Sequence, residues 1–429
     1  MTETLPTQDL NIVHAAALVP VSDAGTARRG ATQNDLEIIA DGALAIRQGK
    51  IVAVGTTDEV LADWSDPTIT TLDATGKTVL PGLVESHSHP LYGGSRHREY
   101  AERLSGATMA EVVARGGGIW TSVQTTRATS NAELLTGVKE ALARMTKGGV
   151  TTVEVKSGYG LTIEHELHHL ELLNSAAQDT PLRTVITFLG AHVVPRDLEV
   201  PEGVTPTDYY TDLVAGPMLD AVLAQGIADF QDVTVEAGDF TPQQALRVMH
   251  RSHQVGLPIR VHADCNNSSQ GWQTAVAGGA TSAEHLTYTP DQEITDTGPT
   301  DTVAVLLPVA ELIYMTDKRA NARLLINTEV PLAIATDYCS SIHATSLLST
   351  MTMAAPWYQI TPAEAIVACT LNAAYSLDRA TECGSLDVGK AGDVLILNAD
   401  HPEEIFMGLA DEMLEKTIIG GATAWETNP

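Results

Sequence analysis

Residues 78–90 read TVLPGLVESHSHP, an apolar run that ends in two histidines one residue apart, His87 and His89. A short, continuous apolar run is typical of a strand that is buried on both faces of a parallel sheet. Side chains two positions apart on a strand point to the same side. The stretch therefore predicts a buried strand that presents two imidazoles together at its carboxyl end.

Seven similar runs follow, separated by segments with helical patterning. Together with the first run, residues 78–85, the predicted strands are residues 150–156, 183–191, 228–236, 258–263, 280–284, 302–307 and 331–336. Helices are predicted between them, for example over residues 131–147, 163–177 and 241–255. Parallel strands that alternate with helices in this number predict an α/β fold, a (β/α)8 TIM-like barrel, over residues 78–384.

The two ends of the chain consist of short strands and turns. Residues 41–54 contain a hairpin signal around Gln48 and Gly49, and residues 70–79 contribute a further strand. Residues 385–397 alternate strand and turn, and residues 416–425 give a second hairpin signal. Both ends together predict one small β-sandwich domain, built from residues 1–77 and 385–429, into which the barrel is inserted.

The composition is globular, with 44% hydrophobic residues and no apolar stretch of the roughly 18–20 residues that a membrane span needs. The first ten residues lack the basic start and apolar run of a secretory signal. Four cysteines at irregular spacing imply no disulfide framework, so we expect a cytoplasmic protein. A net charge of −29 disfavours binding to nucleic acid and to anionic membranes.

Polar residues stand at the ends of four predicted strands. His87 and His89 follow the first strand, His262 closes the fifth, His285 follows the sixth and Asp337 follows the eighth. In a parallel barrel the carboxyl ends of all strands meet at one mouth. Imidazoles and a carboxylate suit a divalent ion that keeps an open position for water and makes that water a nucleophile. Each feature alone is common in proteins without a metal, but their combination predicts a hydrolytic metal centre.

The other histidines carry weaker signals. Three of them share a predicted helix with Glu164 and Glu166, a pattern typical of a solvated face: His165, His168 and His169. His343 follows the eighth strand and is a further candidate for the pocket.

These residues resemble the amidohydrolase superfamily and, within it, the imidazolonepropionase family. The resemblance extends over nearly the whole chain, in PGLVESHSHPLYGGSRHREY (81–100), GGGIWTSVQTTRATS (116–130), TTVEVKSGYGL (151–161), TFLGAHVVP (187–195), VHAD (261–264), EHL (284–286) and VAVLLP (303–308). The SGYG and LGAH motifs are more specific and point to this family over its dihydroorotase and urease relatives. The tail GSLDVGKAGDVLIL (384–397) is shared by amidohydrolases in general.

The resemblance implies roles for individual residues. It implies one divalent ion, Zn²⁺ or Fe²⁺, without a carbamylated bridging lysine, and the ligands His87, His89, His262 and Asp337. Asp337 would remove a proton from the attacking water, and His285 would contact that water or the oxyanion. The residues implied to bind the substrate and its propionate are Arg96, Tyr159 and His192, of which the arginine offers a planar fork to a carboxylate. A homodimer is also implied.

The implied reaction opens 4-imidazolone-5-propanoate with water to N-formimidoyl-glutamate, a step of histidine degradation. Two positions depart from the family pattern around the substrate ring: Cys265 stands where the family has Glu, and Cys339 stands where it has Asn. A thiol, with an ordinary pKa of about 8.5, is a poor substitute for a carboxylate.

These departures leave alternatives open. One is hydrolysis of a related ring such as hydantoin-5-propionate, and another is a metal-binding scaffold without catalysis. The two cysteines could also form a second metal site or a thiol pair. A deaminase fits less well, because such enzymes need a protonating Glu at the position of Cys265.

Overall fold

The computed structural model describes residues 7–427, and at positions 110 and 411 the backbone alone. Most of the segment on which the absence of a secretory signal was predicted, residues 1–6, lies outside the described residues. Within residues 7–427 no helix combines the length and the apolar character that crossing a membrane requires.

Between residues 7 and 427, seventeen strands form three sheets. Before the barrel come β1 Leu10–Ala15, β2 Ala17–Leu18, β3 Gly42–Arg47, β4 Lys50–Thr56, β5 Thr70–Asp73 and β6 Thr78–Pro81. The barrel strands are β7 Leu83–Glu85, β8 Val150–Lys156, β9 Arg183–Ala191, β10 Phe230–Val235, β11 Ile259–Ala263, β12 Ser282–His285, β13 Val303–Leu306 and β14 Leu332–Ile334. After it come β15 Val394–Leu397, β16 Leu414–Ile419 and β17 Ala422–Glu426.

The helices follow the predicted alternation with the strands. They are α1 Thr57–Trp64, α2 His97–Leu104, α3 Met109–Ala114, α4 Ile119–Ala128, α5 Asn131–Lys147, α6 Ile163–Gln178, α7 Pro206–Leu213, α8 Leu219–Gln225, α9 Pro242–Gln254, α10 Gly271–Ala277, α11 Asp291–Thr297, α12 Pro308–Ile313, α13 Ala322–Asn327, α14 Leu347–Tyr358, α15 Pro362–Cys369 and α16 Leu371–Ser376. A π-helical turn, Val214–Met218, joins α7 to α8, and 3-10 turns occur at Gly30–Asn34, Pro402–Met407 and Ala410–Met413.

The barrel confirms the predicted (β/α)8 architecture. Strands β7 to β14 lie side by side in chain order, and every neighbouring pair is parallel. The ring closes just beyond β7 and β14, where Ser88 and Tyr338 form a parallel bridge and the amide of His89 donates to the carbonyl of Tyr338 at 2.7 Å. The carboxyl ends of all eight strands therefore surround one mouth.

The prediction that residues 78–85 form one barrel strand is wrong, because the structure divides them between two sheets. The first half of this stretch, β6, pairs antiparallel with β15, whereas its second half, β7, pairs with β8 of the barrel. Gly82 separates the halves, and a Cβ at this glycine would collide with the side chain of Thr151. The apolar run is continuous because both halves are buried, so its pattern could not reveal the change of sheet.

The chain ends form two facing sheets, of strand order β4-β3-β1-β5 and β17-β16-β15-β6-β2. Apolar side chains of both sheets, such as Leu44 and Ile46 from one and Val394 and Ile418 from the other, share a buried cluster. Both predicted hairpins are confirmed, and Gln48 and Gly49 adopt the positive φ that a tight hairpin turn requires. The ranges 1–77 and 385–429 stay a prediction, and residues 78–81 extend the second sheet.

Candidate active site and metal centre

A cavity of about 530 Å³ opens at the carboxyl ends of the barrel strands. It is lined by nearly all the side chains that the sequence singled out: His89, Arg96, Tyr159, His192, His262, Cys265, His285, Asp337 and Cys339. His87 lies beneath them and is fully buried. The fold therefore brings together residues that are spread over some 250 positions of the chain.

Ligand atoms from three regions of the barrel converge at the floor of this cavity. Nε2 of His89 lies 3.2 Å from Nε2 of His87 and 3.4 Å from Nε2 of His262. Oδ1 of Asp337 lies 3.5 Å from Nε2 of His87 and 3.8 Å from Nε2 of His89. The side chains of His87, His89, His262 and Asp337 are hereafter the histidine–aspartate cluster.

The outer nitrogens of two of these imidazoles face buried carboxylates. Nδ1 of His87 lies 2.6 Å from Oε2 of Glu284, and Nδ1 of His262 lies 3.0 Å from Oδ2 of Asp232. A neutral imidazole with its proton on Nδ1, toward a carboxylate, presents a lone pair at Nε2. Lone pairs that converge at 3.2 to 3.4 Å repel each other unless a cation lies between them. The residues present therefore fit a divalent metal ion.

Two residues of the site have unusual backbone conformations. Asp337 (φ 55°) and His285 (φ 76°) both adopt the left-handed region, which costs a non-glycine residue about 1–2 kcal/mol. Burial alone would raise the pKa of Asp337, but its contact with His87 holds that pKa below the ordinary value. Burial lowers the pKa of His285 to about 3, so its imidazole is neutral. The left-handed backbone conformations of Asp337 and His285 are typical of sites where the surrounding structure holds functional side chains in place.

Arg96 lies at one side of the cavity, at the start of α2. Its side chain is 8% exposed, and its Nε donates to Oε2 of Glu99 at 2.9 Å. Oε1 of Glu99 accepts from the hydroxyl of Thr121 at 2.8 Å, and the amide of Gly118 also donates to this carboxylate. Glu99 therefore fixes Arg96 against the first turn of α4, in an orientation that can present the guanidinium to an anionic group in the cavity.

The SGYG motif forms the loop that follows β8 and carries Tyr159. Gly158 has φ +113°, and its carbonyl oxygen lies 3.0 Å from Nδ1 of His192. The carboxylate of Glu166 accepts from the amides of Gly160 and Leu161 at 2.8 and 2.7 Å. Because Nδ1 of His192 faces a carbonyl, the proton lies there and Nε2 is free to accept a hydrogen bond. Burial lowers the pKa of His192 to about 3, in keeping with a neutral ring.

The two cysteines that depart from the family pattern both line the cavity. Burial, followed by the nearby Glu236 carboxyl, raises the pKa of the Cys265 thiol well above its ordinary value. Burial, followed by Asp337, raises the pKa of Cys339 to about 12. Both are free thiols, and within residues 7–427 neither belongs to a cluster of three metal-ligating side chains. The wall at these positions is therefore neutral near pH 7.

Sequence reasoning missed several residues that shape the site. Glu236, at the end of β10, accepts from the amides of Cys265, Asn266 and Asn267 at 2.7 to 3.1 Å and holds their loop. Burial raises the pKa of Glu236 to about 7. Beneath the cavity, charged residues face inward from the strands: Glu154, Lys156, Asp232, Arg260 and Glu284. The sequence did contain a signal for these residues, because charged residues stand inside otherwise apolar strands. Glu154 and Lys156 are two positions apart and therefore point to the same side of their strand.

Two minor predictions are wrong. The helix that carries His165, His168 and His169 was predicted to expose these residues on a solvated face. Glu166 and His169 of this helix are instead buried. Glu166 holds the SGYG loop, and burial lowers the pKa of His169 to about 3, so its ring is neutral. His343 is exposed, stacks on Tyr92 at 6.0 Å between ring centroids, and does not line the cavity.

The sequence matches two known protein families. The amidohydrolase family matches residues 78–424, and a bacterial imidazolonepropionase-like composite domain matches residues 42–64. An imidazolonepropionase of Symbiobacterium thermophilum is 40% identical over 415 residues, which cover 95% of this chain and 96% of that protein. An imidazolonepropionase of Geobacillus kaustophilus is 41% identical over 392 residues, covering 90% of this chain and 91% of that one.

Solved structures of other hydrolases share the fold. An adenosine deaminase from Xanthomonas campestris with bound zinc superposes with a TM-score of 0.70 at 19% identity, over 97% of this chain and 92% of that one. An atrazine chlorohydrolase from Arthrobacter aurescens, complexed with zinc, gives a TM-score of 0.70 at 18% identity, over 96% and 94% of the two chains. At these identities the likeness concerns the fold alone.

Proposed function

The chain belongs to the amidohydrolase family, in the group of the imidazolonepropionases, and on this basis we propose that it hydrolyses 4-imidazolone-5-propanoate. Water adds to the ring carbonyl carbon, the bond from that carbon to the ring nitrogen breaks, and the product is N-formimidoyl-glutamate. The oxygen of water ends in the new carboxylate, and its proton ends on the released nitrogen. The reaction is a step of histidine degradation.

One observation carries the proposal: Arg96 lines one cavity of about 530 Å³ together with His89, His262 and Asp337 of the histidine–aspartate cluster, whose fourth member, His87, lies beneath them. A cavity of this size suits a small ring with a carboxylate arm. The guanidinium of Arg96 offers two parallel donors to the carboxylate, while the cluster lies where the ring carbonyl would be attacked. The presence of both functions in one cavity thus favours a substrate with a carboxylate arm on the ring.

The residues of the cavity have complementary tasks in this reaction. A divalent ion held by the cluster supplies Lewis acidity and lowers the pKa of water. Asp337 offers a carboxylate oxygen that takes the proton of the attacking water and passes it to the leaving nitrogen. His192, with its proton on Nδ1, accepts a hydrogen bond from a ring N–H through Nε2. His285 contacts the attacking water or the oxyanion, Tyr159 borders the ring, and Arg96 holds the arm.

The nature of the ion and of the assembly is part of the proposal. Three imidazole nitrogens and one carboxylate oxygen suit Zn²⁺ and also Fe²⁺, and we propose one such ion per chain. Metal analysis of protein purified without added metal tests which ion is bound. The resemblance further supports a homodimer, which analytical ultracentrifugation tests directly, and the irregularly spaced cysteines favour a cytoplasmic location.

A second candidate substrate is hydantoin-5-propionate. The observation that favours it is the neutral wall formed by Cys265 and Cys339, both of which hold their protons near pH 7. A thiol is a weak hydrogen-bond donor, so it suits the additional ring carbonyl of a hydantoin better than it suits the amidine edge of an imidazolone. A site built for one polar edge discriminates strongly against another.

Turnover of the two compounds, measured side by side on metal-loaded enzyme, tests both candidates. Asp337→Asn removes the proton acceptor while keeping the shape of the side chain, and Asp291→Asn, on the exposed start of α11, is the matched control. We expect turnover of imidazolonepropanoate that is lost in Asp337→Asn and kept in Asp291→Asn. Turnover of the hydantoin alone would favour the second candidate. Turnover of neither compound would contradict both and support the non-catalytic scaffold.

A further inference from the structure

A group of charged side chains lies inside the barrel, beneath the histidine–aspartate cluster. It comprises two cations, Lys156 and Arg260, and three carboxylates, those of Glu154, Asp232 and Glu284; we call it the buried charge cluster. All five side chains are 0% exposed. Burying this many charges is costly unless each is paired, so their arrangement has a specific structural reason.

The ammonium of Lys156 lies among the three carboxylates. Its Nζ is 2.8 Å from Oε1 of Glu154, 2.8 Å from Oδ2 of Asp232 and 3.3 Å from Oε2 of Glu284. Arg260 approaches the same cluster from another direction, with its Nε 2.9 Å from Oε1 of Glu154. Nζ of Lys156 therefore lies where three carboxylates converge, and two of these carboxylates, Glu154 and Glu284, also pair with Arg260.

The carboxylates around Lys156 retain unused capacity to bind a cation. Oε2 of Glu154 and Oδ1 of Asp232 are buried and have no hydrogen-bond partner among the described residues. Ligand atoms of Glu154, Glu284 and His87 lie within 4.8 Å of one another, as do those of Asp232, Glu284 and His262. Apart from Lys156 itself, these groups therefore have the spacing of a metal site.

We propose that the ammonium of Lys156 occupies a second cation site of the barrel and thereby limits the protein to one metal ion. The inference rests on the proposed metal centre, because His87 and His262 would stand between the two positions. Each of these imidazoles directs Nε2 to the proposed ion and Nδ1 to a carboxylate of the buried charge cluster. Lys156 is thus a positioning residue that sets metal stoichiometry.

The inference predicts what happens when the ammonium is removed. Lys156→Met keeps the apolar stem but leaves three carboxylates with one guanidinium, and a divalent ion then replaces the lost charge. The vacated position offers carboxylate oxygens, which suit hard ions such as Mn²⁺. Ligand distances for such ions are about 2.0–2.6 Å, so the oxygens of Glu154 and Asp232 need to close in by about 0.2–0.8 Å and that of Glu284 by about 0.7–1.3 Å.

The experiment counts bound ions and does not depend on activity. Each protein is loaded with one equivalent of Zn²⁺ and then titrated with Mn²⁺, and free Mn²⁺ is followed by electron paramagnetic resonance. We expect one additional Mn²⁺ per chain in Lys156→Met and none in the wild type. Lys390→Met is the matched control, because Lys390 is another buried lysine, and it lies outside the barrel. Its Nζ lies 2.9 Å from Oδ2 of Asp23. Glu154→Gln added to Lys156→Met should weaken the new site at least tenfold.

The outcomes separate the inference from the metal centre on which it rests. A wild type that takes up no zinc overturns the metal centre and the inference with it. One zinc and no manganese in Lys156→Met, or a second ion in the wild type, overturns the inference alone. If Lys156→Met is unfolded without metal, the inference predicts that millimolar Mn²⁺ restores the folded protein. Failure of this rescue counts against it.

Discussion

Oε2 of Glu284 lies 2.6 Å from Nδ1 of His87, and both side chains are fully buried. A carboxylate in this position orients a metal-binding imidazole and raises its basicity. We expect Glu284→Gln to weaken zinc binding by about 10- to 100-fold. Competition with a chelator of known affinity measures the change. Glu364→Gln is the control, because it alters a buried glutamate paired with Arg323 outside the cavity; equal zinc affinities in the two variants would contradict the role of Glu284.

Removal of the guanidinium at position 96 tests the site of the carboxylate arm. A charged hydrogen bond of this kind contributes about 1.5–3 kcal/mol, so we expect Arg96→Met to raise KM by about 10- to 100-fold with a smaller effect on kcat. Arg98→Met, two positions along the same helix and exposed, is the control. Steady-state kinetics measure both constants. Identical KM values for the two variants would show that Arg96 does not bind the arm.

A methyl group at Gly158 tests the geometry of the loop that carries Tyr159. Its φ is +113°, and a Cβ there would lie 3.0 Å from the carbonyl oxygen of Leu189 and 3.1 Å from Nδ1 of His192. We expect Gly158→Ala to lower the free energy of unfolding by about 1–3 kcal/mol and to lower kcat/KM by displacing His192. Gly137→Ala, in the middle of α5 with open space around it, should instead stabilise by about 0.5–1 kcal/mol. Urea denaturation compares the two variants, and a neutral Gly158→Ala would contradict the close packing.

The thiols of the cavity should be unreactive in the folded protein. Burial raises the pKa of Cys339 to about 12, and the thiolate is the reacting form. Its alkylation by iodoacetamide at pH 8 should therefore be at least about 1000-fold slower than that of a free cysteine. Mass spectrometry locates the modified residues, and urea-unfolded protein, in which all four cysteines should react, is the control. Rapid modification of Cys339 or Cys265 in the folded state would refute the neutral wall.

His169 should make the fold sensitive to mild acid. Burial lowers its pKa from 6.5 to about 3, so the folded state holds it neutral while the unfolded chain takes up a proton below pH 6.5. Its contribution to stability is complete above pH 6.5 and is lost as the pH falls toward 3, by about 2 kcal/mol at pH 5. Urea denaturation at pH 7 and pH 5 should show a smaller difference for His169→Leu than for the wild type. His168→Leu, half-exposed on the same helix, should keep the wild-type difference.

Much of the fold could be predicted because buried parallel strands leave a simple pattern in the sequence. The barrel, the two hairpins and the membership of the amidohydrolase family are all confirmed. The division of residues 78–85 between two sheets could not be predicted, because burial of β6 and β7 produces the same apolar pattern in both. At Gly82, between β6 and β7, the backbone lies close to the side chain of Thr151. Thr151 is distant in sequence, so no local pattern could reveal this contact.

The candidate site was predictable to the extent that its residues stand at strand ends. His87, His262 and Asp337 could be placed together because the topology of a parallel barrel requires it. Their metal-binding role stays a prediction. Glu166 could not be distinguished from a surface glutamate, since its task depends on the path of the SGYG loop. Lys156 was likewise missed, because one lysine at a strand end does not reveal the three carboxylates that surround it.

The pairing of β6 with β15 has a consequence for biosynthesis. A ribosome releases residues 78–89 long before residues 394–426, yet Pro81 finds its sheet partner Val394 only when the last strands have emerged. Two of the proposed ligands, His87 and His89, follow β6 by only a few residues. A nascent chain that still lacks β15 can therefore pair β6 with β2 and β7 with β8, but the antiparallel edge of β6 has no partner. Emergence of β15 is thus the event that completes the sheet around β6, just before the two proposed ligands in the chain.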